Sequence, residues 1–365
     1  MIRIASFNLE NLFTRPSAMN EETDAEGRAA IEDHAIANAI ISKPVYSTAD
    51  KQKLIELSKK YKWHLLNQPR NSLVQLQKIR GNLFHQPANG DLEVSANGRA
   101  SWVGWFELLR ESISWKATFN TGRVIAEVKP DILITVEAEN RPTLQRFNEQ
   151  ILQSQFSLNY KHYMLIDGND SRGIDLGIVS NFPIAEMKSH VDDLGENGLP
   201  VFSRDCPEYD IILPGDVRIV VIPNHFKSKR NGNDEDSENR RKAQAKRSHE
   251  ICLSALDRTP FVLLGGDLND TPDSGVINDV FKDGFKDVSV HPNYPTDRPG
   301  TFDTGLANNK IDYLIMSLHL QTKLHNTGIE RRGSYHPRTW EPFDTVNSKA
   351  DEASDHHLIW ADFNF

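Results

Sequence analysis

The sequence predicts an α/β fold in which one sheet packs on another and helices cover the outside. Three observations lead there. Short apolar runs rich in Val and Ile end at Asn, Asp, Gly or Pro, the punctuation of strands. Stretches with helical spacing lie between several of them. The composition, 25% charged and 38% hydrophobic over 365 residues, supplies a core for one large domain or two small ones. The formal net charge of −9 excludes a polycation, so any grip on a polyanion must come from a local basic patch or a metal. Two cysteines, Cys206 and Cys252, provide neither a disulfide framework nor a Cys-rich zinc site.

Residues 2–9 read as the first strand. Residues 25–41 and 48–66 are expected to be helices, the second opened by Ser47 and Asp50 at capping-box spacing. Residues 91–100 suit a hairpin about Asn97-Gly98, and Trp102, Trp105, Phe106, Leu108 and Leu109 crowd a further expected helix. The region from about 14 to 120 carries no motif chemistry. It reads as a mostly helical insertion into a single domain spanning 1–365, because the strands on either side belong together. Residues 121–129 place Val124, Ile125 and Val128 at helical spacing and stop before Pro130. Strands follow at 132–136, 176–179, 217–222, 261–264, 311–316 and 358–363, with a helix at 238–256 that is basic first and apolar later. The N-terminus lacks a basic segment followed by a long apolar one, and no window offers the ~18 apolar residues of a membrane span, so a soluble cytoplasmic protein is expected.

Polar residues gather at the ends of these strands. In "LLGGDLNDTP" an apolar run stops at two glycines and presents Asp267 and Asn269 on one side, since side chains alternate along extended chain. Thr271 and Pro272 fall where a calcium loop needs an oxygen ligand and a glycine, which removes that reading. Asn8 and Glu10 share a face in "SFNLENL". "PDILITVEAEN" delivers Glu137; "VIPNHFKSK" delivers Asn224, His225 and Lys227; Asp312 opens "IDYLIMS", and Asp355 and His356 precede "HLIW". Alone, each fits a turn, a helix N-terminus or a solvated charge. Together, in this order, they fit one active edge on a rigid frame.

That order resembles the endonuclease/exonuclease/phosphatase superfamily, in a bacterial branch. The matching segments are "FNLENL", "PDILITVEAE", "RGIDLGIVSNFPI", "NHFKSK", "GGDLND", "KIDYLIMS" and "SDHHLI", which cover all but the insertion. The resemblance implies a four-layer α/β sandwich with its site at one edge and a metal-dependent phosphoesterase activity. Carboxylates and amides are hard oxygen ligands suited to Mg²⁺ or Mn²⁺. Glu137 is the firmest expected ligand, with Glu10, Asp355 and Asn8 around it. The resemblance pairs His356 with Asp312, either to deprotonate water or, as imidazolium, to bond a phosphate oxygen; Asp267 is the rival water activator, oriented by Asn269. It also turns His225, Asn224, Lys227 and Arg172 of "RGID" toward phosphate.

Three substrate classes compete. A nuclease acting on DNA or RNA is favoured by "NHFKSK" and by the following Arg240, Arg241, Lys242, Gln244, Lys246 and Arg247, which suit a polyanionic backbone. A phosphatase or phosphodiesterase for a lipid head group or small phosphoester is the alternative. The inositol type is disfavoured because Asn269 is followed by Asp270 without a nearby arginine and Lys310 to Tyr313 lacks the Trp-rich motif of that type. Separately, "GTFDTGL" stands where abasic-site enzymes carry a tryptophan motif, which disfavours abasic-site specificity. A non-catalytic binding member is the third reading, opposed by the intact acids and histidines.

Overall fold

The computed structural model describes residues 1–12, 24–65, 68, 73–88, 90–109, 114–170, 172–229 and 235–365. The chain divides into two compact units, residues 1–13 with 113–365, and residues 14–112. β1 (Ile2–Leu12) opens the larger unit. The smaller unit contributes α1 (Asp24–Ile41), α2 (Thr48–Tyr61), β2 (Val74–Arg80), β3 (Phe84–His85), β4 (Glu93–Val94) and β5 (Val103–Leu108). The larger unit resumes with α3 (Trp115–Val128), β6 (Ile132–Ala138) and α4 (Arg141–Phe147), which runs through a π-helical turn into α5 (Ser154–Phe156). There follow β7 (His162–Ile166), β8 (Asp175–Ser180), β9 (Ile184–Lys188), β10 (Glu208–Leu213), β11 (Val217–His225), α6 (Glu235–Ala255) and β12 (Val262–Asp267). β13 (Lys286–Asp287), β14 (Asp312–Met316), α7 (Leu318–Gln321), β15 (Leu324–Glu330) and β16 (Leu358–Phe363) complete it.

Two six-stranded sheets form the larger unit, in the orders β15-β16-β1-β6-β8-β7 and β13-β14-β12-β11-β10-β9. Each is antiparallel except for one central parallel pair, β1 with β6 and β11 with β12. One apolar cluster joins the facing sides, drawing Ile4, Ile134 and Ile178 from the first sheet and Ile211, Ile219, Leu263 and Leu314 from the second. A second cluster packs Val124, Ile125 and Val128 of α3 and Leu144 of α4 on the outer face of the first sheet. A third packs Ala245, Ile251 and Cys252 of α6 on the outer face of the second. The result is the expected four-layer sandwich, helix on sheet on sheet on helix.

Alternation along the strands decides which polar side chains enter the gap between the sheets. On β11, Ile219 and Val221 face the gap while Val220 and Ile222 face α6. His225 therefore points to the gap and Asn224 away from it. On β12 and β14 the same parity puts Asp267 and Asp312 on the gap side with Leu263 and Leu314. Gly265 allows the sheets to close there: a Cβ would stand 2.7 Å from Ile134 Cδ1.

The smaller unit has its own core, in which Ala37 and Ile41 of α1 and Leu54 and Leu57 of α2 meet Trp63, Trp102 and Phe106. The capping box is present: Ser47 Oγ accepts from Asp50 N–H, and Asp50 accepts from Ser47 N–H at 2.9 Å. The second helix stops at Tyr61, because Lys62 takes a left-handed conformation at its C-cap; residue 66 of the expected span lies outside the described residues. Two expectations are corrected. Trp102 to Leu109 does not form a helix: β5 occupies it and pairs with β2, with Trp102 and Phe106 buried and Trp105 44% exposed, a period of two. Asn97-Gly98 is not a hairpin turn: the hairpin pairs β3 with β4, and Gly98 is needed because a Cβ would sit 1.8 Å from Pro44 O. The insertion thus carries two helices followed by two small two-stranded sheets, with more helix than strand among its described elements. Both cysteines are free and buried. Among the described residues no helix is long and apolar enough to cross a membrane.

Candidate active site

Parity alone does not build the site; three left-handed residues complete it. Leu133 of β6 faces α3, so strict alternation sends Glu137 to the helix side as well. Instead Glu137 has φ 63°, the pairing of β6 shifts register between Val136 and Ala138, and its Oε1 comes to 3.8 Å from His225 Nε2 on the facing sheet. Glu10 has φ 43° beside a register shift between Asn8 and Leu12, and Asn269 has φ 52°. A left-handed conformation costs a non-glycine residue roughly 1–2 kcal/mol, so strain at these positions calls for compensation from the site they form. Local hydrogen bonds hold them: Glu10 N–H donates to Asn8 Oδ1 at 3.2 Å, and Asn269 N–H donates to Asp267 Oδ1 at 2.8 Å.

The buried centre is a pair of imidazoles around one carboxylate. His356 Nδ1 lies 3.0 Å from Asp312 Oδ2, and Thr301 Oγ1 accepts from the backbone N–H of Asp312 at 2.9 Å. His356 Nε2 lies 3.4 Å from Asn8 Nδ2, 3.8 Å from Asp267 Oδ2 and 3.9 Å from Asp355 Oδ1. Burial lowers the pKa of His356, but the charge and hydrogen bond of Asp312, with Asp267 and Asp355, outweigh it and raise it well above the ordinary value. His356 is therefore an imidazolium at neutral pH. Asp267 is pushed up to about 7 by burial, reinforced by the charges of Asp312 and Glu137 against that of His356. His225, 3.7 Å from Asp267 through Nε2, is driven well below its ordinary value by burial and by Arg204, His356 and Arg172. It is neutral, and its Nδ1 has no hydrogen-bond partner.

Beside this centre lies a group of acids. Glu10 Oε2 accepts from Asp355 N–H at 2.9 Å. Burial and the charge of Asp355 raise the pKa of Glu10; burial raises that of Asp355, opposed by His356 and assisted by Glu137. Glu10 and Asp355, both raised first by burial and each facing the charge of another acid, fit a divalent cation, which would relieve the repulsion through oxygen donors of the kind Mg²⁺ and Mn²⁺ prefer. Among the described residues, the group whose ligand atoms lie within 4.8 Å of one another is Asp267, Asp312 and His356. There, however, the Nδ1 of His356 is committed to Asp312, so the oxygen donors of Glu10, Glu137 and Asp355 fit a hard divalent cation better. Asn8 joins the two groups: its Oδ1 holds the Glu10 backbone, and its Nδ2 faces His356 and Asp267, the latter at 3.5 Å.

Arg172 is paired with Asp170 through Nε to Oδ1 at 3.0 Å and Nη2 to Oδ2 at 2.8 Å, and it feels the charge of Glu137. Lys227 is half-buried nearby, its pKa lowered by burial and by Arg204 and Arg172. Asn224 is a correction. Its amide is fully buried on the α6 side, donating to Cys206 Sγ and Ile222 O and accepting from Ser248 Oγ at 3.0 Å, so it does not reach the gap. The basic stretch of α6 is a second correction. Arg241 is buried against Asp270 at 2.9 Å, Gln244 Oε1 accepts from Lys227 N–H, Lys242 pairs with Glu238, and Arg247 pairs with Asp193 and Glu250. These side chains brace the helix rather than form a free cationic track; residues 230–234 of the preceding charged run lie outside the described residues. Sequence reasoning missed Asp170 and Arg204, which come from irregular loops; the one available signal was the Asp two residues before Arg172.

The sequence profile of the Endonuclease/Exonuclease/phosphatase family matches residues 117–356. No curated protein matches the chain by sequence. Among solved structures, the endonuclease/exonuclease/phosphatase from Beutenbergia cavernae DSM 12333 is similar in fold, with TM-score 0.51 and 15% identity over 70% of this chain and 67% of that one. Truncated Caenorhabditis elegans TDP2 gives TM-score 0.47 and 19% identity over 68% of this chain and 90% of that one. The human Nocturnin catalytic domain with bound sulfate gives 0.47 and 15% over 70% and 88%. The profile match spans more than half of the chain, and on that ground the chain belongs to the endonuclease/exonuclease/phosphatase family, whose members hydrolyse phosphoesters.

Proposed function

We propose that the chain is a divalent-metal-dependent phosphodiester hydrolase and that its substrate is a nucleic acid, DNA or RNA. What supports this reading is three features at one edge of the sandwich: Glu10 bonded to the Asp355 backbone with Glu137 acting on Asp355, the His356–Asp312 pair, and the cation Arg172 within the field of Glu137. Glu10, Glu137 and Asp355 would hold Mg²⁺ or Mn²⁺, which when bound supplies charge neutralisation at a phosphoryl oxygen. Asp267 lies in the gap beside His225 and His356, placed to accept a proton from the attacking water, and Asn269 fixes its orientation through the Oδ1 bond. His356, charged and anchored by Asp312, donates from Nε2 to a phosphate or leaving oxygen. His225 donates to a non-bridging oxygen, and Arg172 and Lys227 draw the anion in. A specific observation keeps the second reading, a small phosphoester or lipid head group as substrate: Arg241, Lys242 and Arg247 of α6 are paired with acids of this chain.

Supercoiled plasmid, single-stranded RNA, bis-p-nitrophenyl phosphate and a phospholipid, each tested with Mg²⁺, Mn²⁺ and EDTA, decide between these. Metal-dependent cleavage of plasmid or RNA is the expected result. Hydrolysis of the small ester or lipid alone would select the second reading, and silence on all four despite bound metal would leave a binding protein.

A further inference from the structure

Arg204 occupies a position that an internal role does not explain. Its side chain is 3% exposed, and its Nε stands 3.2 Å from Asp170 Oδ2 without forming a hydrogen bond. Among the described residues its one hydrogen bond as a side-chain donor runs from Nη1 to the Phe226 carbonyl at 3.4 Å. Asp170 does not need it, being held already by two bonds from the Arg172 guanidinium and one from its backbone N–H at 3.1 Å. A guanidinium has five N–H donors, and the Nε of Arg204 is buried with no acceptor, which is costly. Arg204 feels the charges of Glu137 and Asp267, so it adjoins the proposed reaction centre.

The local charge is unbalanced. Arg172 and Arg204 share Asp170, and Lys227 forms no ion pair among the described residues. These three cations face Asp170 and, at the reaction centre, Glu137; with Glu137 bound to the proposed metal, two positive charges are left. Asp175, the next acid in this corner, is pushed up to about 7 by burial and by Asp167 and Asp170, so it neutralises little of this. A phosphodiester carries one negative charge, whereas a phosphomonoester carries nearly two at neutral pH. Planar guanidinium forks match phosphate oxygens in pairs.

We infer that Arg204, with Arg172 and Lys227, forms a subsite for a dianionic phosphate, a phosphomonoester carried at the end of a nucleic acid strand or on a small molecule, beside the position where the ester is cut. The inference rests on the reading of the neighbouring site as a phosphoester hydrolase. It makes Arg204 a direct substrate contact and predicts selectivity for ends that bear a phosphate.

Calorimetric titration of the full chain tests it, with inorganic phosphate at about pH 8, where the second charge is present, and dimethyl phosphate as the singly charged control. Each titration is run with EDTA and with saturating Mg²⁺. Phosphate is expected to bind at least about tenfold tighter than dimethyl phosphate in both, and Arg204→Met to lose about tenfold or more of that affinity. Arg172→Gln, at a more exposed position, repeats the test if the buried substitution prevents folding. Equal affinity for the two anions, or unchanged phosphate binding in both variants, overturns the subsite. A dinucleotide with a terminal phosphate binding tighter than glycerol phosphate assigns the strand end; the reverse assigns a small molecule, and either keeps the subsite. The EDTA titrations need neither metal nor turnover, so metal-independent hydrolysis would defeat the mechanism above and leave Arg204 standing.

Discussion

At Glu137 the chain accepts a backbone conformation that side chains avoid, and the gain is a carboxylate facing the opposite sheet. This predicts a trade between stability and function at one residue. Glu137→Gly relieves the left-handed strain, worth roughly 1–2 kcal/mol against a somewhat smaller loss from glycine's freedom when unfolded. Its melting temperature is therefore expected to equal or exceed that of the wild type while hydrolysis is lost; a clear fall in melting temperature would contradict the strain argument. His356→Ala removes the buried imidazolium and is expected to reduce kcat by about 10²–10⁴ with the circular dichroism spectrum unchanged. Wild-type turnover would show that the pair with Asp312 serves packing alone. At this scale the sequence was informative where parity holds, as at Asp267 and Asp312, because a strand end shows its face in its spacing. It was silent where geometry breaks parity or a loop supplies the group, as at Glu137's turn and at Arg204.

At the scale of elements, the strands that carry the site are fixed by contacts that leave little tolerance. β12 runs so close to β11 that a Cβ on Gly266, where φ is 133°, would lie 2.0 Å from Asn224 O. Gly266→Ala is expected to cost about 3 kcal/mol in denaturant unfolding, since backbone cannot yield as a side chain does; a change within error would mean that the strands part freely. β10 is pinned through Glu208, which is 1% exposed, meets His190 Nε2 at 2.8 Å and accepts from Arg258. Burial alone would raise its pKa, but His190 and Arg258 win and depress it to about 2. A depressed carboxylate stabilises the fold above its unfolded pKa of 4.5 and loses that contribution as pH falls toward about 2. Glu208→Gln should therefore lower stability at neutral pH by about 3 kcal/mol and flatten the acid limb of a stability profile; an unchanged limb would remove Glu208 from the account. Central strands such as β6, β11 and β12 were legible because they are continuous apolar runs, whereas β10, also interior, was missed because Glu208 and Asp210 interrupt its run. β9, mostly exposed, and β15, polar at several positions, lacked such runs because edge strands bury little.

Across the whole molecule, two sheets of matched order bring the ends of their central strands to one edge of the sandwich. That convergence, and membership of the family, were legible from the order of short motifs. The strand β5 of the insertion was not, because aromatic residues such as Trp102 and Phe106 fill a strand face as readily as a helix face. The central claim is that Glu10, Glu137 and Asp355 make this edge a metal-dependent phosphodiesterase. The most direct measurement is the initial rate of bis-p-nitrophenyl phosphate hydrolysis against Mg²⁺ concentration, for EDTA-treated wild type and Glu137→Gln. The wild type should be silent without metal and saturate as metal is added, and the variant should need far more metal and reach a much lower rate. Turnover without metal, or superimposable curves for the two proteins, would contradict it.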